Sequence, residues 1–159
     1  MSRLMMPAVV AAAVLAMALP ATAAEQTRDA YREAVEPICK ANTKANKRIL
    51  AGVERLVRKG KLKPAAAKLE RAAKELTKTW RQLKAVPQPP ADRARLGRWL
   101  KLVKQEADLL RVTGAKLRAG DRPAANEKRT QLQNIANKAN VQALPFEFTH
   151  CRFEPSKFT

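Results

Sequence analysis

Side chains that commonly build active sites and metal centres are scarce in this chain of 159 residues. It contains one histidine, two cysteines and 14 acidic residues, and it has no glycine-rich phosphate loop, HExxH or CxxCH motif. All four methionines lie at or before Met17, in the amino-terminal segment. These absences argue against a catalytic site, a bound metal or a haem held by methionine. The sequence therefore predicts a protein that is not an enzyme and that carries no cofactor.

Aromatic residues are also few, at 4% of the chain, and no stretch alternates β-branched and polar residues as a half-buried strand does. Alanine, leucine, lysine, arginine and glutamate are abundant instead. This composition is typical of helices, so we predict an all-α fold.

The amino terminus has the features of a secretory signal peptide. An early cation precedes an apolar stretch from Pro7 to Leu19, and small residues follow it. The stretch is shorter than the roughly 20 residues that cross a bilayer, which argues against an uncleaved membrane anchor. We predict cleavage after Ala23 or Ala24, and the first cysteine, Cys39, lies too far beyond that point to carry a lipid. Residues 1–24 are thus the predicted signal peptide and residues 25–159 a single domain, without a transmembrane span, that is secreted or kept in the extracytoplasmic cell envelope.

Four segments repeat apolar residues three and four positions apart, the spacing that places them on one face of a helix. The predicted inward positions are Val35, Ile38, Ala41, Ala45, Ile49, Val53 and Leu56 in the first segment, Ala66, Leu69, Ala73, Leu76, Trp80 and Leu83 in the second, Leu96, Trp99, Val103, Leu110 and Leu117 in the third, and Ala125, Leu132, Ile135, Ala136 and Ala139 in the fourth. We expect one amphipathic helix from each segment.

Prolines, glycines and aspartates mark the predicted helix boundaries. Pro37 either kinks the first helix or lies in its first turn, in which case residues 27–36 form a separate short leader. Gly60 ends that helix, and the PQPPA segment forbids continuation of the second. Asp92 and Asp121 stand where they can cap the third and fourth helices.

Short connections favour antiparallel neighbours, so the predicted architecture is an up-down-up-down four-helix bundle with an irregular carboxyl-terminal tail. In this topology the start of the first helix and the end of the fourth lie at the same end, which brings Cys39 and Cys151 together. In an oxidising compartment we expect them to form a disulfide. The alternatives are a free reactive thiol and a metal site that adds His150, and the spacing of these residues is not that of metal ligands.

Positive charge is the strongest signal in the sequence, with 32 lysines and arginines against 14 acids. The cations fall on the outward faces of the first three helices, opposite the apolar positions. Solubility alone requires polar outer faces, but it does not explain the excess of one sign. The predicted anion-binding surface consists of Lys40, Lys44, Lys47, Arg48, Arg55, Arg58, Arg71, Lys74, Lys78, Arg81, Arg93, Lys101, Lys104, Arg111 and Arg118.

Such a surface favours polyanions, and outside the cytoplasm the candidate partners are anionic cell-envelope polymers or lipid headgroups. Sequence-specific reading of nucleic acid is not expected, because the aromatic residues do not interleave with the cations. The oligomeric state is left open.

The alternative function is that of a scaffold or ligand-binding bundle. An apolar groove near Trp80 and Trp99 would then take a protein or a small molecule, together with the tail phenylalanines Phe146, Phe148, Phe153 and Phe158. Among the acids, Glu106 is turned toward the helix seam near Trp99, and we expect an arginine partner for it.

The segment YREAVEPICKANTKANKRI, the helices around a Pro-Pro turn, the GD pair before the last helix and the late cysteine resemble small uncharacterised secreted helical proteins of high-GC Gram-positive bacteria. The resemblance covers most of residues 25–159, and its firmest points are one cysteine near the start of the first long helix and one near the carboxyl terminus. LPFEFTHC stands where members often carry a glycine and a leucine before the final cysteine. The resemblance implies a helical fold and export, and it implies no activity or cofactor.

Overall fold

A computed structural model describes residues 26–152 of the chain. Helical residues make up 84% of this part, and none of it is in a strand, which confirms the all-α prediction. The predicted signal peptide and the last two phenylalanines, Phe153 and Phe158, lie outside the described residues. Between residues 26 and 152, no helix combines the length and the apolar character that crossing a bilayer requires.

The helices are α1 (Arg28–Leu50), α2 (Val53–Arg58), α3 (Leu62–Ala85), α4 (Arg93–Arg118) and α5 (Arg122–Ala143), with single 3-10 turns at Pro90–Asp92 and Leu144–Phe146. The long helices α1, α3, α4 and α5 form the predicted four-helix bundle. Close backbone approaches join α1 to α3, α3 to α4 and α4 to α5, whereas α1 and α5 approach each other far less closely. The bundle is therefore more open along its α1–α5 side than along the other three.

The first predicted helix is two helices in the structure. α1 begins earlier than expected, because the Thr27 hydroxyl accepts a hydrogen bond from the amide of Ala30 at 3.2 Å and so caps it. It continues through Pro37, so the separate leader at residues 27–36 is wrong. α1 then ends before Gly52, whose φ of 75° lies in the left-handed region that glycine adopts without strain.

The buried face of α1 differs from the predicted one. Val35 is buried as expected, but Ala41 is exposed, while Tyr31 and Asn46 are among the most buried residues of the protein. The Asn46 amide donates to Oδ1 of Asn42 at 3.0 Å, which offsets part of the cost of burying it. A pattern that counts only apolar residues assigns such a position to the outside.

Only one of the two predicted aspartate caps is present. Asp121 accepts a hydrogen bond from the Ala124 amide at 3.0 Å and caps α5. Asp92 precedes α4 but makes no capping bond, and that prediction is wrong. Its carboxylate instead receives two hydrogen bonds from Arg28, one of them from Nε at 2.9 Å, because a charged donor offers a stronger bond than a backbone amide.

The tail folds back over the end of the bundle where α1 begins. Cys39 and Cys151 form a disulfide, which confirms the predicted pairing and excludes both the free thiol and the cysteine-containing metal site. Phe148 lies between Trp99 and Phe146, with ring centres 5.3 and 5.4 Å away. These contacts fill the α1–α5 side of the bundle at this end.

Polar contacts also hold the tail, because the Glu36 carboxylate accepts hydrogen bonds from two consecutive tail amides. Thr149 donates to it, and His150 donates to its Oε2 at 3.0 Å. The tail backbone is thus tied to the first turns of α1 beside the disulfide.

Candidate functional site

A shallow depression of about 460 Å³ lies between α3 and α4. Its floor is formed where the helices meet through the small side chains of Ala73 and Ala107, both of them buried. Its walls carry four of the predicted anion-binding cations, named here the basic groove: Lys74, Lys78 and Arg81 of α3 and Arg111 of α4. The helical spacing of three and four residues places the α3 cations on one face, roughly one turn of 5.4 Å apart.

Two carboxylates also line the basic groove, and each is already bound by another cation. Arg118 Nε donates to Glu70 at 2.8 Å, and this hydrogen bond lowers the pKa of Glu70. Lys104 Nζ donates to both oxygens of Asp108 at 2.7 Å. The four cations of the basic groove make no ion pair with any residue from 26 to 152. No direct ion pair within the described part of the chain therefore occupies their charged groups.

The other cations predicted from the sequence do not converge on this groove. Those that are exposed elsewhere are Lys40, Lys44, Lys47 and Arg48 on α1, Arg55 and Arg58 on α2, Arg71 on α3, and Arg93 and Lys101 on α4. Arg58 forms an ion pair with Glu54 at 3.2 Å. Lys104 is only half-exposed, since it pairs with Asp108 and lies 5.8 Å from the ring centre of Trp80.

The two tryptophans of the predicted apolar groove lie in different surroundings. Trp99 is buried in the core against Phe148. Trp80 is half-buried, and the ammonium groups of Lys84 and Lys104 lie over its ring. An apolar cavity of about 480 Å³ lies instead at the opposite end of the bundle, next to α2 and the start of α5.

Glu106 is buried beneath the tail, as the sequence pattern indicated, but without the arginine partner that we expected. It makes no ion pair with the described residues, and its Oε1 accepts no hydrogen bond from them. It borders a small cavity of about 40 Å³ that His150 and Arg152 also line. Burial raises the pKa of Glu106 to about 8, so its carboxyl is mostly protonated at neutral pH.

No group of three or more histidine, cysteine, aspartate or glutamate side chains within residues 26–152 is arranged to hold a metal ion. The cations of the basic groove are visible in the sequence as outward residues, but their position around one depression is not. The signal was present in Ala73 and Ala107, since a small residue at the inward edge of each helix allows a close approach and leaves a depression beside it.

Comparison of the chain with protein-family models, with curated proteins and with solved structures finds no match. The resemblance to small secreted helical proteins of high-GC Gram-positive bacteria therefore depends on the sequence segments alone and stays a hypothesis.

Proposed function

We propose that this protein is a non-enzymatic binding protein for anionic polymers or lipid headgroups of the cell envelope, and that the basic groove is its principal contact. The single observation that carries the proposal is the charge balance of the groove. Glu70 and Asp108 are each paired with a cation outside it, so Lys74, Lys78, Arg81 and Arg111 keep their charges available.

The binding would be driven by electrostatics. A polyanion that lies along α3 meets a cation about once per helical turn and releases its condensed counterions. The net charge of +18 over the whole chain adds a long-range attraction that speeds encounter. The groove offers no aromatic side chain for stacking on bases, so the proposed recognition reads charge and not sequence.

The disulfide supports a location outside the cytoplasm, since disulfides persist in oxidising compartments. Export through a cleaved signal peptide at residues 1–24 remains a prediction. It would place the protein beside envelope polymers and membrane headgroups, the two sources of anionic groups that we propose.

The test compares two variants with the same net charge. One replaces the four groove cations by glutamine, and the other replaces four exposed cations elsewhere, Lys40, Lys44, Lys47 and Arg93. Binding to fluorescent heparin, to polyphosphate and to anionic vesicles is measured by anisotropy or co-sedimentation over a range of salt concentrations. We expect the groove variant to lower the slope of log affinity against log salt by about 3, and the control variant by less than about 1.

Equal losses in the two variants would show that net charge alone drives adsorption and would refute the groove as a site. Retention that survives high salt in the unmodified protein would contradict the electrostatic function altogether. Preference for vesicles over the soluble polymers would assign the ligand to lipid headgroups, and the reverse to polymers.

A further inference from the structure

The apolar cavity at the far end of the bundle is the part of the molecule that the proposed function does not use. Its volume is about 480 Å³, and it lies between α2 and the first half of α5. Leu69, Leu110 and Leu117 form its floor, and Val53 and Val57 form the α2 wall. We name it the α2–α5 cavity. It exists because α1 and α2 do not close against α5, and the tail fills that gap only at the other end.

Three arginines and one acid surround the apolar floor of the α2–α5 cavity. Glu54 is the acid, and Arg58 pairs with it at 3.2 Å, so these two charges cancel. Arg129 donates to the neutral side chain of Asn126 at 3.0 Å, and Arg122 makes no ion pair with residues 26–152. The rim thus carries two uncompensated guanidinium groups, both on exposed residues of α5.

We infer that the α2–α5 cavity binds a single-chain anionic amphiphile, a fatty acid anion, with its chain on the leucine floor and its carboxylate at Arg122 and Arg129. The volume lies in the range of small-molecule sites, and the lining combines apolar side chains with a few charged groups as such sites do. A methylene group takes about as much space as a liquid water, about 30 Å³, so the cavity corresponds to about 16 carbons and has room for one chain of a dozen carbons but not for two. Arginine suits the head group because its planar fork matches a carboxylate.

Charge also argues against the other occupants of an apolar cavity. A cationic amphiphile would meet the two free arginines, and a second copy of this chain would bring the same positive rim against itself. A purely polar polyanion would leave the leucine floor uncovered. The inference is independent of the proposed function, because the basic groove lies on the α3–α4 side of the bundle and shares no residue with this cavity.

The test uses the purified, oxidised full chain and isothermal titration with dodecanoate, dodecanol and dodecyltrimethylammonium. The two ions are kept below the concentrations at which they form micelles, and dodecanol below its solubility limit. We expect saturable one-to-one binding of dodecanoate, at least about tenfold weaker binding of dodecanol, and no measurable binding of the cation. Changing Arg122→Gln together with Arg129→Gln should weaken dodecanoate about tenfold and leave dodecanol unchanged. The matched control, Arg71→Gln with Arg93→Gln, removes two exposed arginines that do not line the cavity and should change neither affinity.

A third variant tests the cavity itself. Ala125 is buried in its wall, and Ala125→Phe should fill the space and abolish binding of both dodecanoate and dodecanol. If this variant does not fold, as circular dichroism would show, the Arg122 and Arg129 changes still decide the proposal because both residues are exposed.

Three results would overturn the inference: equal affinity for the anionic and cationic amphiphiles, equal effects of the two arginine pairs, or no saturable dodecanoate binding. A lack of saturable dodecanoate binding would count against the inference even if something else occupied the cavity. That occupant could be residues 7–19 or a second copy of the chain, and sedimentation would reveal the second copy as a dimer. Because the Arg122 and Arg129 changes leave the basic groove intact, heparin binding should stay at the level of the matched control. Failure of one proposal is therefore distinguishable from failure of the other.

Discussion

Removal of the disulfide should cost this protein a large part of its stability. Cys39 and Cys151 are separated by 112 residues, so the bond closes a loop that spans nearly the whole bundle. The chain-entropy model for a loop of this length gives about 5 kcal/mol of stabilisation, acting through the unfolded state. Single domains unfold with about 5 to 15 kcal/mol in total. The variant Cys39→Ala with Cys151→Ala is thus expected to keep its native contacts but to have a small free energy of unfolding.

Those native contacts should persist because the tail is held by more than the sulfur bridge. Phe148 is 3% exposed and packs against Trp99, and Glu36 binds the tail amides. The loss of stability is therefore expected mainly in the unfolded chain, which becomes free to expand. An expanded unfolded state exposes more surface, so the dependence of the unfolding free energy on urea concentration should become steeper.

The assay is urea unfolding followed by circular dichroism and tryptophan fluorescence, for the oxidised protein, the reduced protein and the double alanine variant. Reduction keeps both sulfurs in the core, so it separates the effect of the crosslink from the packing lost with the side chains. Reductant should have no effect on the alanine variant. A loss of less than about 1 kcal/mol on reduction, or two titratable thiols in the oxidised protein, would refute the reasoning.

Three further predictions concern single positions. The pKa of Glu106 is about 8 in the folded protein and 4.5 in the unfolded chain, so folding takes up a proton between these pH values. The free energy of unfolding should therefore fall as pH rises through this range, by up to about 1.4 kcal/mol per pH unit. Urea unfolding at several pH values measures this slope, which should vanish in Glu106→Gln. A Cβ at Gly114 would lie 3.2 Å from a backbone oxygen of α3, so Gly114→Ala should lower the free energy of unfolding by about 1 to 3 kcal/mol. Gly97 is the matched control, because a Cβ there meets nothing within 4 Å. Gly97→Ala should raise the free energy of unfolding by about 0.5 to 1 kcal/mol in the same assay. Hydrogen bonds from Arg28 lower the pKa of Asp92, so the stability that this pair adds should be present above pH 3.8 and be lost as pH falls through the lowered pKa. Because the Arg28 side chain is 49% exposed, Asp92→Asn should lower the free energy of unfolding by no more than about 1 kcal/mol at neutral pH and should not change it in strong acid. An equal loss at both pH values would contradict the pairing.

Helices and their ends could be predicted where the signal is local to the sequence. Apolar periodicity marks the helices, and Gly60 and Gly120, both with positive φ, mark two of the ends. The sequence also allowed the disulfide to be predicted, since topology alone brings the two ends together. It did not reveal that Asp92 would bind Arg28 in place of an amide, because that competition depends on where α1 lies relative to α4. Burial of Asn46 was missed for a related reason: its partner Asn42 stands one turn away, and a hydrogen-bonded polar pair has no apolar signature.

The candidate sites were predictable in composition but not in position. Each cation of the basic groove is visible as an outward residue, yet only the approach of α3 and α4 separates these four from the remaining exposed cations. The apolar cavity was expected near the tryptophans, where apolar side chains are largest. Large side chains fill space, however, and Trp99 with the tail phenylalanines leaves little of it.

The unequal packing around the bundle accounts for both proposed sites. α3 and α4 meet through small residues, so they pack closely. The depression between them is shallow, and the cations of the basic groove lie exposed along it. On the opposite side α1 and α5 stay apart, and Phe146 and Phe148 occupy the space between them at one end, where the disulfide fixes the tail. No comparable segment of residues 26–152 fills the other end, and the α2–α5 cavity lies there above its floor of buried leucines. Because the two sides are separated by the core, we expect a polyanion on α3 and a fatty acid anion beside α5 to bind at the same time. The four groove changes should then weaken only polyanion binding, and the Arg122 and Arg129 changes only fatty acid binding, each beyond the effect of its matched control.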